Sequence, residues 1–277
     1  MKLNFIKVNP TENMTVFVLD NLPRAKYMEI ANKIMNYNNI YAEQVGFIEA
    51  PMLKNSNASV RLQMMGGEFC GNASRALAAV AVNRGYQNIT EEKEKFIVPL
   101  EVSGLDEVIY CYVEPKSSNA YEVAVKMPLQ RSIKDIEVEY KNMVYKGKIV
   151  ELYGISHAVF FTNDKSLKEE FFNKVMSEID NFNYDAFGVM FFDEKEKFMT
   201  PLVYVNDTKS LIWERSCGTG TVALGVVLSY LHKRNMDMNI HQPGGKVQII
   251  TEWKEDKVTN IILKGMAYIV AEGEVYI

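Results

Sequence analysis

Short runs of apolar residues, many alternating with polar ones, recur along the chain. FIKVN, MTVFVLD, QVGFIEA, VRLQMM, EVIYCYV, YEVAVKM, HAVFFT, FGVMFFD, LVYVN, KVQIITE, NIILKG and AYIVAEG are rich in β-branched and aromatic residues and stop at Gly, Pro, Asn or Asp. They predict strands, and sheet dominates. Two segments instead carry a stripe of helical period: 23–36, with Tyr27, Ile30, Ala31 and Ile34, and 165–182, with Leu167, Phe171, Val175 and Ile179. These predict amphipathic helices lying over sheet faces. ASRALAAVAV (73–82) and TVALGVVLSYL (221–231) are small and apolar all round, the pattern of helices surrounded by protein.

The starts of the two apolar helices align. Cys70-Gly71-Asn72-Ala73-Ser74-Arg75-Ala76-Leu77 matches Cys217-Gly218-Thr219-Gly220-Thr221-Val222-Ala223-Leu224, so that Cys, Gly, a small polar residue, Ser/Thr, Ala and Leu recur in register 147 residues apart. That offset is about half the chain, as an internal duplication would give. The expected fold is α+β, with two pseudo-symmetric β-rich halves, each wrapped around a central buried helix, and the active site in the cleft between them. No Pro/Ser/Gly linker divides the sequence. The halves are assigned to 1–117, carrying Cys70, and 118–277, carrying Cys217, with the final strand free to return to the first half.

Composition narrows the function. The 277 residues are 48% hydrophobic and 24% charged, which fits a globular protein and not a disordered one. With 31 Lys and Arg against 35 Asp and Glu and no basic stripe, a nucleic-acid partner is not expected. The apolar run Ala76–Val82 is far short of the ~20 residues a bilayer-spanning helix needs, and MKLNFIKVNPTENMT meets polar residues too early for a signal-peptide core. A cytoplasmic chain is expected, without a membrane partner. Three cysteines, Cys70, Cys111 and Cys217, make neither a disulfide framework nor a C-x-x-C pair.

Two of those cysteines precede a helix, where free backbone N–H groups and the helix dipole lower a thiol pKa and bind anions. A shift from ~8.5 to ~7 would raise the thiolate from a few per cent to about half at neutral pH. A carboxylate could accept N–H groups from Gly71, Asn72, Gly218 and Thr219, leaving one sulfur on either face of its α-carbon. That arrangement suits inversion of a stereocentre, one thiolate removing the α-proton and the opposite thiol returning one. Cys111, within the strand VIYCYV, reads as a buried small hydrophobe.

These residues carry a resemblance. FCGNASRA (69–76) and WERSCGTGT (213–221) resemble the two cysteine motifs of the diaminopimelate epimerase and proline racemase superfamily of cofactor-independent epimerases, over nearly the whole chain. Asn13 is similar to that family's N-terminal substrate-binding asparagine, Gln44 to its strand glutamine, His157 to the histidine of its Gly-Asn-Pro-His motif, and QPGG (242–245) to its Pro-Gly-Gly turn. The resemblance implies Cys70 and Cys217 as the acid–base pair. It implies Asn13, Gln44, Gly71, Asn72, His157, Glu214, Arg215, Gly218 and Thr219 around a small amino-acid substrate, Glu214 toward its ammonium, with no cofactor and no metal. A homodimer is left open.

Departures point to the distal end of the substrate. Ile155 stands where the motif has Asn, and Gly188 where diaminopimelate epimerases have another substrate-binding Asn. NPxxNMT, EQVGFIE, EFCGNA, LIWE-x-SCG-x-GT and HQPGG as a set are similar to the histidine racemases of the same family, which implies conversion of L-histidine to D-histidine. Without the resemblance, His157 also reads as a satisfied core histidine, Glu214-Arg215 as an ion pair at a strand end, and Glu43 and Glu68 as solvated groups or groups facing the ammonium or imidazole. Diaminopimelate epimerisation is the alternative, and a two-lobed amino-acid-binding or thiol-sensing protein the rival of another class. G-x-G-x-x-A at 218–223 mimics a dinucleotide fingerprint, but no chain of βαβ units accompanies it.

Overall fold

A computed structural model describes residues 1–179, 186–206 and 209–277. The chain divides into two compact units, Met1–Met127 with Ile262–Ile277, and Pro128–Ile261. Strands predominate over helices in both, in an α+β fold.

The first unit holds β1 (Lys2–Asn9), β2 (Thr15–Val18), α1 (Tyr27–Met35), β3 (Gln44–Glu49), β4 (Val60–Met64), α2 (Gly71–Asn83), β5 (Thr90–Glu92), β6 (Lys95–Val102), β7 (Val108–Pro115) and β8 (Ala120–Lys126). β1 pairs antiparallel with β2, β2 parallel with β3, β3 antiparallel with β4 and β4 parallel with β6. Antiparallel pairs then link β5 to β6, β6 to β7 and β7 to β8. The last strand, numbered β17 (Lys257–Tyr276), pairs with both β8 and β1 and closes the ring. Within this unit α2 packs on β2, β4, β6, β7 and β8 and is buried from Gly71 through Ala81. α1 buries Tyr27, Ile30, Ala31 and Ile34 against Val16, Val45 and Phe47.

The second unit holds β9 (Ser132–Tyr140), β10 (Met143–Glu151), β11 (Ile155–Phe161), α3 (Glu169–Ser177), β12 (Ala186–Asp193), β13 (Phe198–Val205), β14 (Ser210–Trp213), α4 (Gly218–His232), β15 (Met236–Gln242) and β16 (Gly245–Lys254). Neighbours pair antiparallel except β11 with β12 and the single bridge from β13 to β15, which are parallel. α4 packs on β10, β11, β12, β15 and β16. On α3, Phe171, Phe172 and Val175 join Phe160, Phe187 and Leu202 in the core.

Several expectations need adjusting. The helix expected at 23–36 opens as a 3-10 turn, Arg24–Lys26, before α1 begins. The one expected at 165–182 starts only at Glu169, because Asp164 Oδ1 takes the Ser166 N–H at 2.8 Å and holds a turn; its expected last residues, 180–182, lie outside the described residues. NIILKG and AYIVAEG are one continuous strand, β17. The division falls after Met127 and not after 117, because β8 pairs with β7 and β17 of the first unit. No helix among the described residues is long and apolar enough to cross a membrane.

Candidate active site

Cys70 sits on extended backbone (φ −129°, ψ 110°) and caps α2, its Sγ accepting the Ala73 N–H at 3.4 Å. The Ser74 hydroxyl donates back to the Cys70 carbonyl at 2.8 Å. The thiol itself donates to Gln44 Oε1 at 3.2 Å. Gln44 Nε2 donates to Asn13 Oδ1 at 2.8 Å and to Thr15 Oγ1 at 2.7 Å, and Asn72 Nδ2 donates to the same Asn13 oxygen at 3.0 Å. Asn13 Nδ2 in turn donates to Glu43 Oε2 at 2.7 Å. One network therefore joins Asn13, Gln44, Asn72 and Cys70, with Glu43 at its outer end. Gly71 leaves room for the end of the Met127 side chain, whose Cε would lie 2.8 Å from a Cβ there.

Cys217 repeats the construction. It has φ −116° and ψ 110°, its Sγ accepts the Gly220 N–H at 3.3 Å, and the Thr221 hydroxyl donates to its carbonyl at 2.6 Å. Gln242 locks this turn, its Oε1 accepting the Cys217 N–H and its Nε2 donating to Thr221 Oγ1, both at 2.8 Å. Thr219 Oγ1 lies 3.6 Å from Cys217 Sγ and 2.9 Å from His157 Nε2. The Glu214 carboxylate is hydrogen-bonded to the Cys217 thiol. Arg215 is exposed and points to the QPGG turn, donating to the Pro243 carbonyl at 3.1 Å while its own carbonyl accepts the Gly244 N–H at 2.7 Å.

The expected residues thus gather in two sets: Asn13, Gln44, Gly71 and Asn72 about Cys70, and His157, Glu214, Gly218 and Thr219 about Cys217, with Arg215 bracing the segment that leads to it. Thr15, Met190 and Gln242 join these sets without a sequence signal that marks them as site residues. HQPGG drew notice as a turn, but a glutamine side chain reaching back to a helix start twenty-five residues earlier leaves no local signal. Met190 shapes the second set by bulk: a Cβ on Gly220 would lie 2.2 Å from its sulfur.

The electrostatics reverse one expectation. Burial pushes the Cys70 thiol up to about 11, with the Glu68 carboxylate adding to the rise and the Ala73 and Asn72 N–H groups opposing it. Burial raises Cys217 well above the ordinary thiol value, and Glu214 raises it further against Thr219 and the Gly220 N–H. The two or three donors of each helix start are outweighed by desolvation of the charged sulfur. Both thiols are therefore protonated in the unliganded protein. Burial also lowers His157 to about 3, so its imidazole is neutral, and its Nδ1 has no hydrogen-bond partner among the described residues. Cys111, fully buried on β7, is pushed up to about 12.

Residues 2–276 match the family described as the histidine racemase CntK N-terminal domain. The chain belongs to the histidine racemase family. It is 38% identical to a histidine racemase of Fusobacterium nucleatum subsp. nucleatum over 99% of this chain and 97% of that protein. A histidine racemase of Staphylococcus aureus is 32% identical over 99% of this chain and 98% of its own length. In fold, this family member is similar to a hydroxyproline epimerase from Agrobacterium vitis, with a TM-score of 0.71 at 10% identity, covering 99% of this chain and 92% of that one. Histidine racemase family membership makes the chain an isomerase of the amino-acid racemase and epimerase kind.

Proposed function

We propose that the protein interconverts L-histidine and D-histidine in the cytoplasm, without a cofactor, with Cys70 and Cys217 as its two acid–base groups. The observation that carries this is the duplicated helix start. Each sulfur accepts the N–H three residues on, and each cysteine carbonyl is held by the hydroxyl four residues on.

The chemistry follows from those atoms. On this proposal the substrate carboxylate takes N–H groups at helix starts such as Gly71 and Asn72 or Gly218 and Thr219, which disperse the charge that develops when the α-proton leaves. One thiolate accepts that proton and the other thiol delivers its own to the opposite face, so each turnover exchanges the protonation of the two sulfurs. Glu214 receives the substrate ammonium. A cation there offsets the carboxylate that helps to hold Cys217 protonated in the free protein. The relatives named histidine racemases support histidine as the amino acid.

The test is a panel of L-amino acids incubated in D₂O with purified, reduced protein and nothing else, followed for α-deuteration and chirality. Deuterium entry with racemisation in histidine above all others is expected. Preference for diaminopimelate gives the function to epimerisation of that substrate, and binding without exchange removes the enzymatic reading altogether.

A further inference from the structure

Arg75 lies five residues beyond Cys70, on α2, and it is fully buried. Arginine is the most strongly cationic side chain and is almost never buried without a partner, yet among the described residues Arg75 has no carboxylate beside it. Its NH2 donates to Asn72 Oδ1 at 2.7 Å, its NH1 reaches the Met266 carbonyl only at 3.4 Å, and its Nε has no acceptor. The chain is shaped to admit the group: a Cβ on Gly265 would come within 2.7 Å of NH1. The ionisable groups whose charge bears on the guanidinium are two thiols, Cys70 at the start of the same helix and Cys111 on β7, and its link to the Cys70 network runs through Asn72 and Asn13.

We infer that Arg75 is a positioning residue for the first cysteine, a buried cation that fixes Asn72 and supplies the countercharge that forms a pair when Cys70 ionises. The inference rests on Cys70 acting as a base, as proposed above. Burying an unpaired guanidinium is costly in the resting protein, and that cost is relieved in the one state where a neighbouring sulfur is an anion. The other groups around Cys70 cannot do this. Gln44 on β3 and Thr15 on β2 are uncharged, the Asn72 and Ala73 N–H groups carry only partial charge, and Glu68, just ahead of Cys70, repels an anion. Cys111 is the deeper thiol and stays the harder to ionise. Asn72 gains as well: with Oδ1 held by Arg75 and Nδ2 by Asn13, its amide plane is fixed where the helix start meets the substrate.

The test reads Cys70 itself and not turnover. Arg75→Met and Arg75→Lys are treated with iodoacetamide at fixed pH, and the rates at Cys70 and Cys217 are followed by mass spectrometry. Loss of the countercharge makes Cys70 react at least about tenfold more slowly in Arg75→Met, one unit of thiol pKa or more, with Cys217 unchanged and Arg75→Lys close to the parent. A purely structural arginine gives the opposite sign, because a loosened helix start exposes Cys70 and speeds its alkylation. An unchanged or faster Cys70 in Arg75→Met overturns the inference. Should that variant not fold, Gly265→Ala decides, since it displaces the guanidinium without removing it: Cys70 slows if the inference holds, and an unslowed Cys70 overturns it. Racemisation of histidine is assayed separately, so failure of the proposed function is not confused with failure of this role.

Discussion

Gly188 is the register partner of His157 across the parallel pair β11 and β12, and a Cβ at 188 would stand 2.4 Å from His157 Nδ1 and 2.7 Å from Met190 Cε. The imidazole that bonds Thr219 occupies the space a side chain at 188 would need. Replacing Gly188 with Asn, the residue that the resemblance places there in diaminopimelate epimerases, must push the ring or Met190 aside. Overpacking of this kind costs about 1–3 kcal/mol. Gly188→Asn is expected to lower both the urea midpoint and kcat/KM for L-histidine, with Gly188→Ala following in the same direction. Full activity in Gly188→Asn, with no gain on diaminopimelate, shows that the His157 to Thr219 contact does not matter for turnover.

Both cysteines should be indispensable for inversion. Cys70→Ser and Cys217→Ser are each expected to lose about 10²–10⁴-fold in racemisation, the usual worth of a positioned acid or base. Circular dichroism of D- and L-histidine mixtures reads this directly. Either variant racemising at the parent rate excludes two-base catalysis, whereas residual elimination from a β-substituted amino acid needs one base and is compatible with it.

Thiol reactivity should follow burial and not the helix start. With Cys70 near 11, iodoacetamide at pH 8 should modify it roughly a hundredfold more slowly than a thiol of pKa ~8.5, the rate rising about tenfold per pH unit toward pH 10. The same shift stabilises the fold below the unfolded thiol value of about 8.5, and this contribution is lost as pH rises toward 11, because the unfolded chain ionises first. A reactivity plateau at pH 7–8 reveals a preformed thiolate and restores the helix-activated reading.

His157 sets the acid side. Its imidazole titrates near 3 when folded and near 6.5 unfolded, so between those values the unfolded chain holds the extra proton and stability falls as pH falls, by up to about 1.4 kcal/mol per unit. Urea denaturation between pH 7 and 4 should show this slope in the parent and a shallower one in His157→Gln. Equal slopes mean that other groups account for the acid sensitivity.

The sequence disclosed the parts of this fold that repeat a pattern. The Cys-Gly-x-x-Ser/Thr unit announced both helix starts because the same atoms do the same work in each: Ser74 and Thr221 bond the carbonyl of the cysteine four residues back. The stripe on α1 was legible in full. The hairpin of β9 and β10 was not, because its exposed positions mix Lys, Asp and Glu with Met143 and Val144, and only Ile136, Val138, Ile149 and Val150 go deep. Its turn is Lys141-Asn142, both with positive φ, a conformation that Asn-Gly would have advertised. Thiol acidity was misread for a different reason. Local sequence shows the donors at a helix start and hides the desolvation imposed by strands packed from elsewhere.

β17 gives the chain an order of assembly. The ribosome releases residues 128–261, the whole of the second unit, before the strand that closes the first one. Until 262–276 emerge, β1 and β8 each lack a partner strand, and the Met266 carbonyl that meets Arg75 has not been made. The half synthesised first is thus the last to be finished, and the surroundings of Cys70 are completed only with the final fifteen or so residues of the strand. A nascent chain halted at 261 would carry a complete second cysteine turn and an open-edged first sheet, the state most exposed to strand-edge aggregation.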